Sequence, residues 1–183
     1  LAELMAADLS TLDVVALMVD GMHFAGHLCV VALGIGIDGT KHPLGVVEGD
    51  TENATVVKDL LVDLRDPGLD TARPVLVVID GAKALASAVN SVFDHPVIQR
   101  CQLHKIRNVE AKLPKAVAKT VAKKMRTAYH DPDALAAEAA LEVLADSLAK
   151  SHPGAAGSLR EGLAETLTVA RLEVAPTLGS ATE

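Results

Sequence analysis

PVLVVIDGAKAL, residues 74–85, decides how the fold is read. The apolar run PVLVVI has the length and β-branched content of a buried strand, with a proline at its entry. It closes on Asp80-Gly81, and beyond Gly81 the period changes to 3.6, so that Leu85, Val89, Val92 and Phe93 share one face. Strand, turn and helix therefore follow one another, with an acid at the junction. DVVALMVDGMHF (13–24) has the same grammar: Asp20 follows VVALMV, but here the strand pattern runs on past the acid. An apolar core makes ionisation expensive. Two acids placed this way need a compensating partner.

Working outward, LCVVALGIGI (28–37) and KHPLGVVEG (41–49) read as strands joined by Asp38-Gly39-Thr40, an Asp-Gly hairpin signal. Ala25-Gly26-His27 supplies the turn before them, so the first three strands are antiparallel in sequence. Asp50–Asn53 offers capping side chains, and Val56, Val57, Leu60, Leu61 and Leu64 fall on one helical face that ends near Asp66-Pro67-Gly68. PVIQRCQLHK (96–105) reads as a short fifth strand. The order is βββαβαβ, an α/β class with a mixed sheet. Beyond Leu113-Pro114 the composition turns to Ala, Lys, Glu and Leu, and helices are expected at 115–129, 133–150 and 156–172, broken at Asp131-Pro132 and His152-Pro153-Gly154. The expected division is a core over 10–113 and an all-helical region over 114–183.

The chain has 183 residues, enough for one packed core with a helical satellite. Its apolar runs are too short to span a membrane. Two cysteines, Cys29 and Cys101, make no disulfide framework, and no basic leader precedes an apolar segment, so a reduced cytoplasmic setting is expected. Leu1 in place of methionine reads as the start of an excerpt. Aromatics number only three, Tyr129, Phe24 and Phe93, which disfavours a single-strand stacking platform.

The net charge of -7 conceals a separation. Nine Lys/Arg and one acid lie between Arg100 and Arg126, leaving 8 basic and 23 acidic residues elsewhere. Such a basic block beside an acidic body suits a polyanion. Lys115, Lys119, Lys123 and Arg126 recur at helical spacing as one ridge, with Arg100, Lys105 and Arg107 close in sequence. A lone ridge is more often a solvated helix face; the neighbouring cations favour contact with DNA.

GIGIDG (34–39) matches G-x-G-x-x-G, but a strand follows it instead of a helix, so its glycines belong to a hairpin. Asp38 is accordingly a turn residue. Asp80 and Asp20 differ, because catalytic groups gather at the carboxyl ends of strands in open sheets. If their strands are neighbours, the two acids meet at one rim, where a divalent cation relieves their repulsion; all-oxygen donors favour Mg²⁺ or Mn²⁺. Two such ions suit in-line attack at phosphorus. A satisfied structural role for each Asp is the plainer alternative. Cys101-x-x-His104 is half of a zinc site with no second half, and reads as a packed thiol with a hydrogen-bonded imidazole. On a strand the two side chains would point to opposite faces.

LMVDGMHF (17–24), VVALGIGIDGTKHPLGVVEGDTENA (30–54), LLVDLRDPGL (60–69), VVIDGAKAL (77–85), IQRCQLHKIRNV (98–109) and SLREGLAETLTVARL (158–172) resemble, in that order, the bacterial Mutator-type insertion-sequence transposases. The resemblance implies an RNase H-like fold with a helical insertion and a DDE active site that cuts and joins DNA with Mg²⁺. Asp20 and Asp80 then match the first two catalytic acids, and Cys101 and His104 a Cys-x-x-His signature that supports the active site. Arg100, Lys105, Arg107, Lys115, Lys119 and Lys123 are the expected DNA contacts. The third acid, a Glu after Thr-Asn, is expected beyond Glu183; Glu183 lacks the Thr-Asn, and Glu161 and Glu165 match a different helix. The implied partners are double-stranded DNA and, for the full-length protein, further copies of itself, in a nucleoid-associated setting. A truncated copy is expected to be inactive alone. Two alternatives stand beside this: an inactive DNA-binding or dimerising fragment, and an RNase H-like nuclease.

Overall fold

The computed structural model describes residues 7–24, 26–49 and 54–172, and of His23 and Phe24 only the backbone. The described residues run β1 (Val14–Phe24), β2 (His27–Gly36), β3 (Lys41–Glu48), α1 (Ala54–Asp63), β4 (Val75–Ile79), α2 (Lys83–Val92), β5 (Pro96–Arg100), α3 (Gln102–Glu110), α4 (Lys115–Tyr129), α5 (Ala134–Ala149), α6 (Pro153–Arg160), a 3₁₀ turn (Ala164–Leu167) and α7 (Thr168–Arg171). The chain divides into two compact units, one through Ile98 and the other from Gln99. Each is considered in turn.

The first unit carries a mixed sheet of order β3-β2-β1-β4-β5. Hairpins keep β1, β2 and β3 antiparallel, whereas β4 returns after α1 and lies parallel to β1, with Val19 opposite Ile79. The Asp-Gly turn forms as its residues demand. Gly39 takes φ 81°, and the Asp38 carboxylate accepts hydrogen bonds from the Thr40 backbone N–H at 2.9 Å and from its hydroxyl at 2.8 Å. Those bonds hold the exposed Asp38 carboxyl below its ordinary range. The capping residues expected at 50–53 lie outside the described residues.

Alternation selects the core. Leu17 and Val19 of β1 join Val75, Val77 and Ile79 of β4, and the helical faces predicted from the sequence, Val57, Leu60 and Leu61 of α1 with Leu64 just past its end, and Leu85, Val89 and Val92 of α2, close over them. A register shift between Val14 and Ala16 lets Val14 face the same core while Ala16 turns to the other side. Every residue of β4 is buried, as a continuous apolar run in a central strand requires.

Two expectations are corrected. The strand at 96–105 stops at Arg100, and Gln102 opens a helix. The apolar pattern PVI ends there, and Leu103, Ile106 and Val109 follow at helical spacing, a period the short strand reading missed. The helix expected at 156–172 is three pieces: α6 ends at Arg160, Gly162 takes φ 60°, and a 3₁₀ turn intervenes before α7.

The second unit packs α3–α6 around Ile106, Val109, Met125, Leu141, Leu144 and Leu159. Asp133 caps α5 by accepting from Leu135 N at 2.8 Å and Ala136 N at 3.2 Å, and Pro153 begins α6 where no amide partner is needed. Because Leu17 is fully buried in the first core, Leu17→Ala is expected to cost about 2–5 kcal/mol. Urea denaturation of the two chains checks this.

Candidate active site

The register of β1 against β4 fixes the relation of the two acids. Val19 and Ile79 are the last pair in the parallel ladder, and Asp20 and Asp80 are the next residue on each strand. They occupy corresponding positions on neighbouring strands, whose axes run roughly 4.8 Å apart. Since Val19 and Ile79 point into the core, the alternation of the pleat turns the following residues to the opposite face. The first premise drawn from the sequence is corrected here: neither carboxylate is buried. Asp20 is exposed and Asp80 half-buried, because β4 ends at Ile79 while β1 runs on past it paired with β2.

Asp80 has a local duty as well. One oxygen accepts the Ala82 backbone N–H at 2.7 Å, an Asx turn that carries the chain from β4 into α2. Gly81 between them has φ 99°, a conformation that a side chain would strain. Asp80 is therefore held in place by the turn it makes. Among the described residues no group of three His, Cys, Asp or Glu is arranged to hold a metal ion. The paired aspartates form a two-carboxylate platform, which in donor chemistry fits a hard, oxygen-seeking cation.

Cys101, His104 and the six expected cations lie in or at the start of the second unit. Cys101 is the residue before the first turn of α3, and His104 is three residues on. On a helix that spacing brings both to one side, the reverse of what a strand would do. The His104 Nδ1 is buried without a hydrogen-bond partner among the described residues.

The residues around them grip another segment. Gln99, buried at the end of β5, donates from Nε2 to Thr166 O at 2.8 Å and accepts at Oε1 from Val169 N at 2.9 Å. Gln102 donates to the same Thr166 carbonyl at 2.9 Å. Arg100 pairs with Glu165 and Glu161, and a Cβ at Gly162 would collide with its guanidinium. Lys105 is buried and donates its ammonium to Ser158 O at 2.8 Å and to Glu161 O. Burial lowers its pKa, and the Arg100 charge adds to this against the opposing pull of Glu161 and Glu165. The QRCQLHK stretch is thus a clasp on residues 158–169. Gln99 and Gln102 went unnoticed as individuals in the sequence; a glutamine ending an apolar strand was their one local signal.

That geometry divides the cations. Arg100 and Lys105 are engaged inside the unit, whereas Arg107, Lys115, Lys119 and Lys123 are exposed. Lys115, Lys119, Lys123 and Arg126 line one side of α4 over about three turns, since helical neighbours recur at i+4.

The described residues form a mixed α/β sheet with aspartates at corresponding positions of adjacent strands, and a helical unit that bears exposed cations. The chain belongs to the Mutator family of transposases, whose family model matches residues 8–176. It is 33% identical over 164 residues to the transposase for insertion sequence element IS6120 of Mycolicibacterium smegmatis, a match covering 86% of this chain and 50% of that protein. It is 30% identical over 138 residues to the transposase for insertion sequence element IST2 of Acidithiobacillus ferrooxidans, covering 75% and 46%. It is 29% identical over 136 residues to the IS256 transposase of transposon Tn4001 from Staphylococcus aureus, covering 73% and 34%. The chain spans half or less of the length of these curated relatives. No helix among the described residues is long and apolar enough to cross a membrane.

Beneath the clasp, Tyr129 has a buried hydroxyl with no hydrogen-bond partner among the described residues; the Thr166 hydroxyl beside it donates its hydrogen to Leu163 O. Burial pushes the phenol up to about 12, and Thr166 offsets this only in part. The unfolded chain ionises first, so the stability tied to Tyr129 is whole below about pH 10 and is lost as pH rises towards 12. Tyr129→Phe is expected to remove that decline, a difference of roughly 2 kcal/mol at the alkaline end. Denaturation midpoints of both chains from pH 9 to about 12 measure it.

Proposed function

We propose that this chain is the central catalytic part of an insertion-sequence transposase with an RNase H-like core over residues 10–113 and a helical insertion over 114–183. The substrate is double-stranded DNA, and the reaction is phosphodiester cleavage at the element's end followed by joining of the freed 3′-hydroxyl to target DNA. Asp20 and Asp80 are the residues assigned to the chemistry. The observation that carries this reading is their placement one step beyond the Val19–Ile79 pair of adjacent parallel strands, in a chain of the Mutator family.

Asp20 and Asp80 would hold Mg²⁺ or Mn²⁺, which when bound supplies charge neutralisation and Lewis acidity at phosphorus. Asp80 presents Oδ2 while its other oxygen stays on Ala82 N; the Asx turn orients the carboxylate without help from the ion. Asp20 lies exposed on the longer strand. The third acid that the resemblance implies is not assigned to a residue of this chain. Cys101 and His104 are assigned the supporting role that the family resemblance implies, and Arg107, Lys115, Lys119 and Lys123 contact phosphates, which sets orientation without reading sequence.

In the full-length parent, Asp20→Asn and Asp80→Asn are each expected to reduce Mg²⁺-dependent cleavage of an end-bearing DNA by a factor on the order of a thousand or more, because each removes a charge the transition state relies on. Retention of parental rates by both variants would falsify the assignment. Replacing Lys115, Lys119 and Lys123 by Gln is expected to weaken DNA binding by this chain and to lower the slope of log K against log salt by about 2.7, at roughly 0.9 for each phosphate no longer neutralised. Filter binding from low to moderate salt gives the slope; an unchanged value returns the ridge to a solvated helix face.

A further inference from the structure

The outer face of α5 carries no charge along most of its length. Leu135, Ala139 and Val143 recur every four residues, with Ala136 and Ala140 beside them, and all five are exposed. Leu135 is 73% exposed and Val143 68%. Single exposed apolar residues are ordinary, but a continuous stripe on one helix is a mark of an interaction surface. Its inner residues Leu141, Leu144, Ala145 and Leu148 already fill the core, so the stripe is a second apolar face.

The two flanks of the stripe carry opposite charge. On one side Glu142 and Asp146 share a single partner, Arg160, which leaves this flank one negative charge in excess. On the other, α4 borders a groove with Lys123, Lys124 and Thr127 facing Ala140, Val143 and Ser147 of α5. Neither Lys123 nor Lys124 has an ion-pair partner among the described residues. The groove therefore asks for an apolar helix with carboxylates along one edge, and α5 itself answers that description.

The geometry points to self-association: two copies of this chain pair their α5 helices in parallel about a two-fold axis running along the helices. Rotation about that axis exchanges the flanks, so Glu142 and Asp146 of each copy face Lys124 of the other. An antiparallel pair would set acid against acid and lysine against lysine. In the parallel pair Leu135, Ala139 and Val143 each meet their own counterpart, and the alanines allow the close helix approach of about 8 Å seen at small-residue contacts. One helix pair is a small interface, so the dimer belongs to the weak, concentration-dependent class. This inference stands apart from the assignment of Asp20 and Asp80.

Sedimentation velocity of the 183-residue chain over a concentration series is expected to show reversible dimerisation. Val143→Asp, at a position exposed enough to leave the fold intact by circular dichroism, should abolish it. Lys124→Glu should raise the dissociation constant at least about tenfold. Register is read by cross-linking: Leu135→Cys alone and Val143→Cys alone should each form a disulfide with the same residue of a second copy, identified by the mass of the linked peptide. A chain that stays monomeric at every concentration, a dimer indifferent to Val143→Asp, or a link joining residue 135 to residue 143 would overturn the proposal.

Discussion

The parallel pairing of β1 with β4 is the constraint on which the candidate site rests. In a pleated sheet a slip of one residue moves a whole strand's side chains to the other face. With Val19 opposite Ile79, Leu17, Val19, Val77 and Ile79 enter the core together and both aspartates leave it together. A one-residue slip of β1 would turn Asp20 towards the apolar core, where burying its charge is costly. The same hydrophobic free energy that builds the core therefore sets the acids side by side. Their meeting is a by-product of register, and register is enforced by burial.

The helical unit relies on a different device. Gln99 and Lys105 are polar side chains inside a small core, where an unpaired donor is costly. Each is satisfied by backbone atoms of residues 158–169, so the pairing is specific to one segment in one position. An apolar replacement could pack as well, but it would not select the broken path of α6, the 3₁₀ turn and α7. Gly162 shows how tight the arrangement is, since its backbone lies where only the absence of a side chain leaves room for Arg100. This physical role accounts for the density of unusual residues in IQRCQLHK better than the Cys-x-x-His pair alone.

Charge is divided by the same logic. Arg100 and Lys105 sit within the basic block of the sequence yet serve internal bonds, while the cations of α4 remain outside. Counting charges along the chain could not separate these groups. The helical period could, once applied to α4, because Lys115, Lys119 and Lys123 fall on one side and the buried Val121, Ala122 and Met125 on another.

Much of the architecture was legible from residue order, for a local reason. Apolar period 2, Asp-Gly at a hairpin, a proline at a strand entry and a change of period after Gly81 each act within a few residues, and so β1 to β4 with α1 and α2 were readable without knowledge of the fold. The two aspartates could be singled out the same way, and so could the cationic helix. What needed tertiary structure was everything depending on a partner far along the chain: that β1 and β4 align with Asp20 beside Asp80, that Asp20 is exposed and Asp80 only half-buried, that residue 102 begins a helix, and that Lys105 faces inward to carbonyls more than fifty residues away. Sequence determines which side chains can be buried or charged. Only the folded chain decides which neighbour each one finds, because strand register and helix packing are settled by burial summed over the whole core.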